Sequence, residues 1–373
     1  MKIPFFGIGK YYIKNKSNIL NITDRVFSTG KLMNGDELTD FEKEIAHFCG
    51  RKFAKLVGSC TDALYFALQC INIQPGDEVI VSDFSFIASA SPIIRSGAIP
   101  VFADIDEKNY MMDVESVEEK ITSRTKAIIA VHLFGQMLPI SPLRELSDRY
   151  QIPIIEDAAQ SLGASQGRIR AGSLGVVSCI SFDPTKIIGA FGNSGCLLFD
   201  DHEMINKIEM LRYHGKYKND FAEQGFNSRT STLQAALLSY QLKSVQNIIL
   251  KRQKIADEYG DSLDKIDKTL RPIVEASNVH TFHKYVIFTD MRDKLKNYLE
   301  QNGIETIIHY VRPLHEYGVF KKYTDSHLNN VRTEQTCKKL LSLPIYPELS
   351  PEDINYIVSN INNFYKNVNH RSR

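Results

Sequence analysis

One lysine stands between two runs that read as buried strands. It is Lys186, in the stretch SCISFDPTKIIGAFGNSGCLLF from Ser178 to Phe199. Desolvation disfavours an ammonium in such a place and lowers the amine's pKa. An amine that is free at neutral pH can form a Schiff base with an aldehyde or ketone. The same residues also describe a surface lysine on a loop between strands. Other strand ends carry chemistry too. After Phe53–Val57, the turn Gly58-Ser59-Cys60-Thr61-Asp62 opens a helix-like run. Small hydroxyl residues at a helix N-terminus suit a phosphate, and an ordinary N-cap by Ser59 or Thr61 accounts for them equally. After Glu78–Val81, Phe86 in SDFSF offers a face to a flat ring, or simply packs in the core. After Pro153–Glu156 comes Asp157, a carboxylate that is costly to bury unless paired. It can hold a proton on a heterocyclic nitrogen, or cap a helix.

Each of these signals has a bland reading alone, but they fall in order on successive strand ends. A phosphate cradle, an aromatic plate, a buried carboxylate and a lysine are what pyridoxal 5′-phosphate (PLP) requires. The phosphate needs N–H and hydroxyl donors, with Ser181 five positions before Lys186 as a further hydroxyl. The ring needs a stacking face, its nitrogen an anion, and its aldehyde a lysine.

These residues need a scaffold that brings distant strand ends together, and the pattern supplies one. Strand-like runs at Phe53–Val57, Glu78–Val81, Pro100–Ala103, Ala127–His132, Pro153–Glu156, Val177–Phe182 and Cys196–Phe199 are joined by helix-like runs. The helical ones are Thr61–Ile71, Ile87–Arg95, Val114–Ile121 and Pro142–Arg149. That alternation predicts an α/β fold with a mainly parallel seven-stranded sheet flanked by helices. Ligands gather at the carboxyl ends of such strands. Before it, Asp36–Phe48 has helical spacing, while the segment to Thr29 is weakly periodic and is expected to lie across the surface. Leu233–Leu263 reads as one long helix or two. Beyond it, strand-like His283–Thr289 and Glu305–His309 alternate with helical Arg292–Asn302 and Pro351–Tyr365. This predicts a smaller C-terminal α+β domain. The expected division is 1–240 for the large domain and 241–373 for the connecting helix and small domain.

With 373 residues the chain is long enough for two cores. A formal net charge of +1 points to neither nucleic acid nor an anionic membrane. The start has no signal-peptide pattern and no run is long enough to span a bilayer. The six cysteines show no metal spacing and read as reduced thiols of a cytoplasmic protein. No metal site is expected.

With these residues in place, the chain resembles the nucleotide-sugar aminotransferases of the DegT/StrS family, which are fold-type-I PLP enzymes. The resemblance runs through GSCTDALYFAL, IPIIEDAAQSLGA, SFDPTKIIGAFGNSG, GFNSRTSTLQAALLSYQL, HTFHKYVIF and NGIETIIHYVRPLH, and covers nearly the whole chain. It implies that Lys186 holds the cofactor and shuttles protons, and that Asp157 pairs with the ring nitrogen. Gln160 is implied near the phenolic oxygen and Phe86 on the ring. Ser59, Cys60, Thr61, Asp62 and Ser181 are implied at the phosphate. Asn227 is implied to reach the phosphate of a neighbouring subunit, which makes a homodimer with shared sites. Arg229, His309, Tyr310 and His315 are implied near the sugar or its diphosphate. The chain departs from the family pattern at Cys60 (commonly glycine), at Asn193-Ser194 (commonly within G-D-G-G), at Ser228 (commonly tyrosine) and at Val311 (commonly proline).

The implied reaction moves an amine from L-glutamate, leaving 2-oxoglutarate, to a nucleotide-linked keto sugar. The loop after Lys186 favours the 3-keto branch, with the 4-keto branch as the alternative. A sugar 3-dehydratase of similar pattern would carry histidine in place of Lys186. A non-catalytic, metabolite-sensing regulator would not need Lys186 and Asp157 intact.

Overall fold

The computed structural model describes residues 1–266, 273–275, 277–324 and 328–371. Seven strands form the central sheet: β1 (Phe53–Val57), β2 (Glu78–Ser82), β3 (Ile99–Ala103), β4 (Thr125–Val131), β5 (Ile154–Asp157), β6 (Val177–Ser181) and β7 (Gly195–Phe199). Their order is β1-β7-β6-β5-β4-β2-β3. β7 runs antiparallel to both neighbours, and the other pairings are parallel. The ends of β1, β2, β5 and β6 therefore open on one edge, as the sequence pattern predicts. Every residue of β2 and of β6 is buried, as expected for a parallel sheet covered on both faces.

The helices of this part are α1 (Ile8–Ser28), α2 (Asp36–Cys49), α3 (Cys60–Cys70), α4 (Ser91–Arg95), α5 (Val114–Glu119), α6 (Ile140–Tyr150), α7 (Glu203–Arg212) and α8 (Thr232–Leu242). The N-terminal segment, weakly periodic in sequence, is a 21-residue helix. Only Ile19 and Val26 of it are fully buried. Tertiary bonds fix it: Tyr240 in α8 accepts from Asn18 Nδ2 at 2.8 Å and donates to Asn15 Oδ1 at 3.1 Å. The run Ile87–Arg95 is not one helix but a 3₁₀ turn, Ile87–Ser89, followed by α4.

α8 ends before α9 (Val245–Leu263), so the long helical run is two helices. After α9 come β8 (Tyr285–Phe288), α10 (Arg292–Gln301), α11 (Val331–Lys339), β9 (Leu340–Leu343) and α12 (Pro351–Arg371). β8 pairs antiparallel with β9. The expected strand Glu305–His309 does not form. Its backbone meets β9 at a single bridge, Ile307 to Ser342, on the edge away from β8, and the preceding Ile304 bridges Ile3. Two hydrophobic clusters result: one surrounds the central sheet and takes in Val245 and Ile249 of α9, and the other packs Ile255, Tyr259 and Leu263 against β8, α10 and α12. Among the described residues no helix is long and apolar enough to cross a membrane.

Candidate active site

Two adjacent acids end β5 and face opposite ways. Glu156 is fully buried and takes four donors: His132 Nε2 at 2.9 Å, the Gly172 and Leu174 N–H groups at 2.7 and 2.8 Å, and Ser178 Oγ at 2.6 Å. The Leu138 N–H donates to His132 Nδ1 at 3.2 Å, which leaves the imidazole proton on Nε2 to face Glu156. Burial opposes the carboxylate, but these hydrogen bonds win and lower its pKa to about 2. Glu156 therefore fastens the loop 172–174 to the sheet.

Asp157 turns toward the strand-end edge. Ser89 Oγ donates to its Oδ2 at 2.7 Å and the Ala159 N–H to its Oδ1 at 3.1 Å. Ser85 and Ser89 hydroxyls lie 2.7 Å apart, which extends the chain of hydrogen bonds. Among the described residues no cation is ion-paired with it. Burial raises its pKa, against the Ser89 bond and the charge of Lys186. Lys186, partly exposed on the loop after β6, has its pKa lowered by burial, against the attraction of Asp183, Cys60 and Asp157. An anion seeking a proton partner and an amine losing its proton thus share one edge of the sheet.

The phosphate turn is a built N-terminus. Ser59 caps α3, accepting from the Asp62 N–H at 3.1 Å. The first turn of a helix leaves N–H groups without helical acceptors. Gly195 in β7 lets this turn approach: a Cβ there would lie 2.5 Å from the Cys60 nitrogen. Ser228 accepts from the Gly58 N–H at 2.9 Å and donates to Asp62 Oδ2 at 2.8 Å, while Arg95 holds Asp62 Oδ1 at 2.9 Å. Ser194 pairs with Thr230 at 2.7 Å, and Thr230 donates to the Val57 carbonyl at 2.9 Å. Ser194 and Ser228 therefore stitch the 227–230 loop to the phosphate turn. Cys60 is buried beside Asp157 and Lys186, and burial pushes its thiol pKa far up. Ser181 Oγ accepts from the Asp183 N–H at 3.2 Å and so orders the start of the lysine loop.

Phe86 is 55% exposed at the end of a fully buried strand. Its ring lies 6.3 Å from that of Tyr310, whose hydroxyl accepts from Gln160 Nε2 at 2.9 Å. Phe86, Gln160 and Tyr310 form one wall. His309 lies behind it, with Nδ1 2.8 Å from Ser342 Oγ and its pKa lowered by burial to about 3. His315 is engaged elsewhere: its Nδ1 is 2.5 Å from Asp83 Oδ2, and Asn330 donates to the same oxygen at 2.9 Å. The Asp83 bond raises its pKa. Asn227 is exposed, bridged to Tyr213. Arg229 stacks on the Tyr213 ring at 4.2 Å with its buried Nε unpartnered. Sequence reading missed Ser85, Ser89 and His132, since a serine 68 residues from its partner leaves no spacing signal.

This donor set fits PLP. It offers an amine of lowered pKa, a buried carboxylate that no cation among the described residues pairs with, an open aromatic face and a helix N-terminus pressed against β7. Sheet and site together define a fold-type-I PLP enzyme. The DegT/DnrJ/EryC1/StrS aminotransferase family profile matches residues 14–362. A "pleiotropic regulatory protein" of Geobacillus stearothermophilus is 36% identical over 98% of this chain and 99% of its own. UDP-2-acetamido-2-deoxy-3-oxo-D-glucuronate aminotransferase of Pseudomonas aeruginosa is 33% identical over 97% of this chain and 100% of its own. The crystal structure of S. venezuelae DesV in complex with a ketimine intermediate superposes with a TM-score of 0.93, at 33% identity and 98% coverage of both chains. The chain belongs to the DegT/DnrJ/EryC1/StrS aminotransferase family, and is a PLP-dependent sugar aminotransferase.

Proposed function

We propose that the chain transfers an amino group from L-glutamate to the 3-keto carbon of a nucleotide-linked hexose. The observation that carries this reading is the placement of Lys186 and Asp157 on one sheet edge, close enough to act on each other's charge and with opposed pKa shifts. The 3-oxo sugar in the name of the Pseudomonas relative supports the choice of carbon.

When bound, PLP supplies an aldehyde that takes up amines and a protonated ring that draws electrons from the substrate carbon. The chain's own residues do the rest. Lys186 Nζ would hold the cofactor at rest and, once displaced, take a proton from the donor's α-carbon and return one at the cofactor's side. Burial lowers its pKa, which favours the free amine that this transfer needs. Asp157 would hold the proton on the ring nitrogen, with Ser89 and the Ala159 N–H fixing the carboxylate. The first turn of α3, Ser59 and Ser181 would bind the phosphate, and Phe86 would orient the ring. Asn227, exposed on this protomer, would complete the phosphate site of a second copy, giving a homodimer with shared sites.

The test is incubation of the holoenzyme with L-glutamate and a panel of 3-keto and 4-keto nucleotide sugars. We expect 2-oxoglutarate to form with the 3-keto substrates, with the new amine at C3. Amination confined to the 4-keto sugars would overturn the choice of carbon.

A further inference from the structure

A cleft of about 470 Å³ opens on Lys186, between the lysine loop, the N-terminal segment, α9 and the start of β8. Among the described residues, Lys14, Lys186, Lys251, Arg252 and Lys284 line it, against a single acid, Glu348. Lys14 lies 3.9 Å from that acid, so among the described residues the cleft's basic side chains outnumber its acids five to one.

Lys284 is the least expected of these cations. It is 6% exposed, one residue before β8. Its Nζ lies 4.5 Å from the Phe6 ring centroid and 5.2 Å from that of Phe5. Among the described residues it has no carboxylate or carbonyl partner. The N-terminal segment carrying the two rings is pinned by the Phe5 N–H donating to Glu305 Oε2 at 3.0 Å and by the bridge of Ile3 to Ile304. Aromatic faces attract a cation but do not replace a carboxylate for one this buried.

The chemistry at Lys186 says what such a cation is for. A transaminase must bring an amino acid to its lysine, and the donor's α-carboxylate is bonded to the carbon that loses its proton. The keto sugar carries no charge beside its reacting carbon, and its diphosphate hangs from C1, further away. Resting on the transaminase reading above, we propose that Lys284 binds a carboxylate of the amino-acid donor. With a sugar in the cleft, Lys284 falls back on the Phe5 and Phe6 rings, so one cleft serves two unlike substrates.

The surroundings of Lys284 set how it binds. Burial, then the charges of Lys186 and Arg252, push its pKa well down, and Asp183 acts in the opposite direction. His283 and His309, the other titratable groups coupled to it, have their own pKa values lowered. A carboxylate arriving in the cleft acts in the same direction as Asp183, so binding raises the pKa of Nζ.

The test uses the PLP-loaded enzyme, its Lys284→Met and Lys284→Arg variants, and glutarate, a dicarboxylate that carries neither amine nor ketone. Calorimetry in two buffers of different ionisation enthalpy reads affinity and proton uptake. We expect Lys284→Met to weaken glutarate about tenfold or more, to abolish the proton uptake, and to raise KM for L-glutamate by a similar factor. KM for the keto sugar should move little, and Lys284→Arg should recover part of the loss. L-Alanine as donor locates the contact: a matching rise in its KM assigns the α-carboxylate, an unchanged one the distal carboxylate. Unchanged glutarate affinity in Lys284→Met would overturn the proposal, as would equal losses for glutamate and sugar, which mark a structural role. Failure of the transaminase reading is distinguishable, because the wild-type enzyme would then not turn over glutamate at all.

Discussion

Glu156 and Asp157 are neighbours in sequence with opposite fates, because successive residues of a strand face opposite sides. Asp157 takes two donors and has a raised pKa, whereas Glu156 is buried among four donors with a pKa of about 2. The sign of the resulting pH dependence follows. Glu156 has a folded pKa below its unfolded value of 4.5, so its stabilisation is fully present above about pH 5 and is lost as pH falls toward 2. The shift corresponds to about 3 kcal/mol. We expect Glu156→Gln to lower the melting temperature at pH 7, with the gap to wild type closing as pH falls to about 3. Melting curves across that range check it, and a gap independent of pH would show that Glu156 carries no charge in the fold. Asp157 was legible in sequence because it stands at the end of a short buried strand, Pro153–Glu156. Its partner Ser89 was not, since that contact exists only once a turn after β2 folds across to β5.

At the scale of elements, the central sheet was readable because its strands are short, apolar and separated by helical crossovers. The seven predicted strands match β1–β7 to within a residue or two at each end. α1 reads as weakly periodic although its apolar residues recur at helical spacing; Ile13, Leu20 and Phe27 stay exposed, and only Ile19 and Val26 are buried. It is held by Tyr240 in α8 and by Lys10, whose Nζ donates to Asp353 Oδ2 in α12 at 2.8 Å. Glu305–His309 failed in the opposite sense: a β-branched run reads as a strand, but it meets β9 at only one bridge, Ile307 to Ser342. Lys284 lies within a segment that resembles the family, yet nothing in HTFHKYVIF marks it. Its burial, and the two rings from the N-terminus above it, are tertiary facts. The departures at Ser194 and Ser228 were visible as unusual residues. Their work in tying the 227–230 loop to the phosphate turn was not.

At the scale of the whole molecule, the proposed dimer makes the 227–230 loop common property of two sites. It is supported by the exposure of Asn227 and by apolar side chains left open on α1 and the following turn, among them Ile13, Leu20, Phe27 and Leu32. We expect Asn227→Ala and Lys186→Ala subunits, each poorly active alone, to complement when mixed. Random pairing of equal amounts gives half mixed dimers with one intact site each, or about a quarter of wild-type activity. Activity no greater than the sum of the two parents would rule out shared sites. The most direct test of the central claim is Lys186→Ala, followed by visible absorbance after loading with PLP and by turnover of L-glutamate with a keto nucleotide sugar, on protein whose circular dichroism matches wild type. We expect the visible band of the covalently held cofactor and the turnover to disappear together. Turnover retained in Lys186→Ala would contradict the assignment of Lys186 as the residue that holds the cofactor and moves the proton.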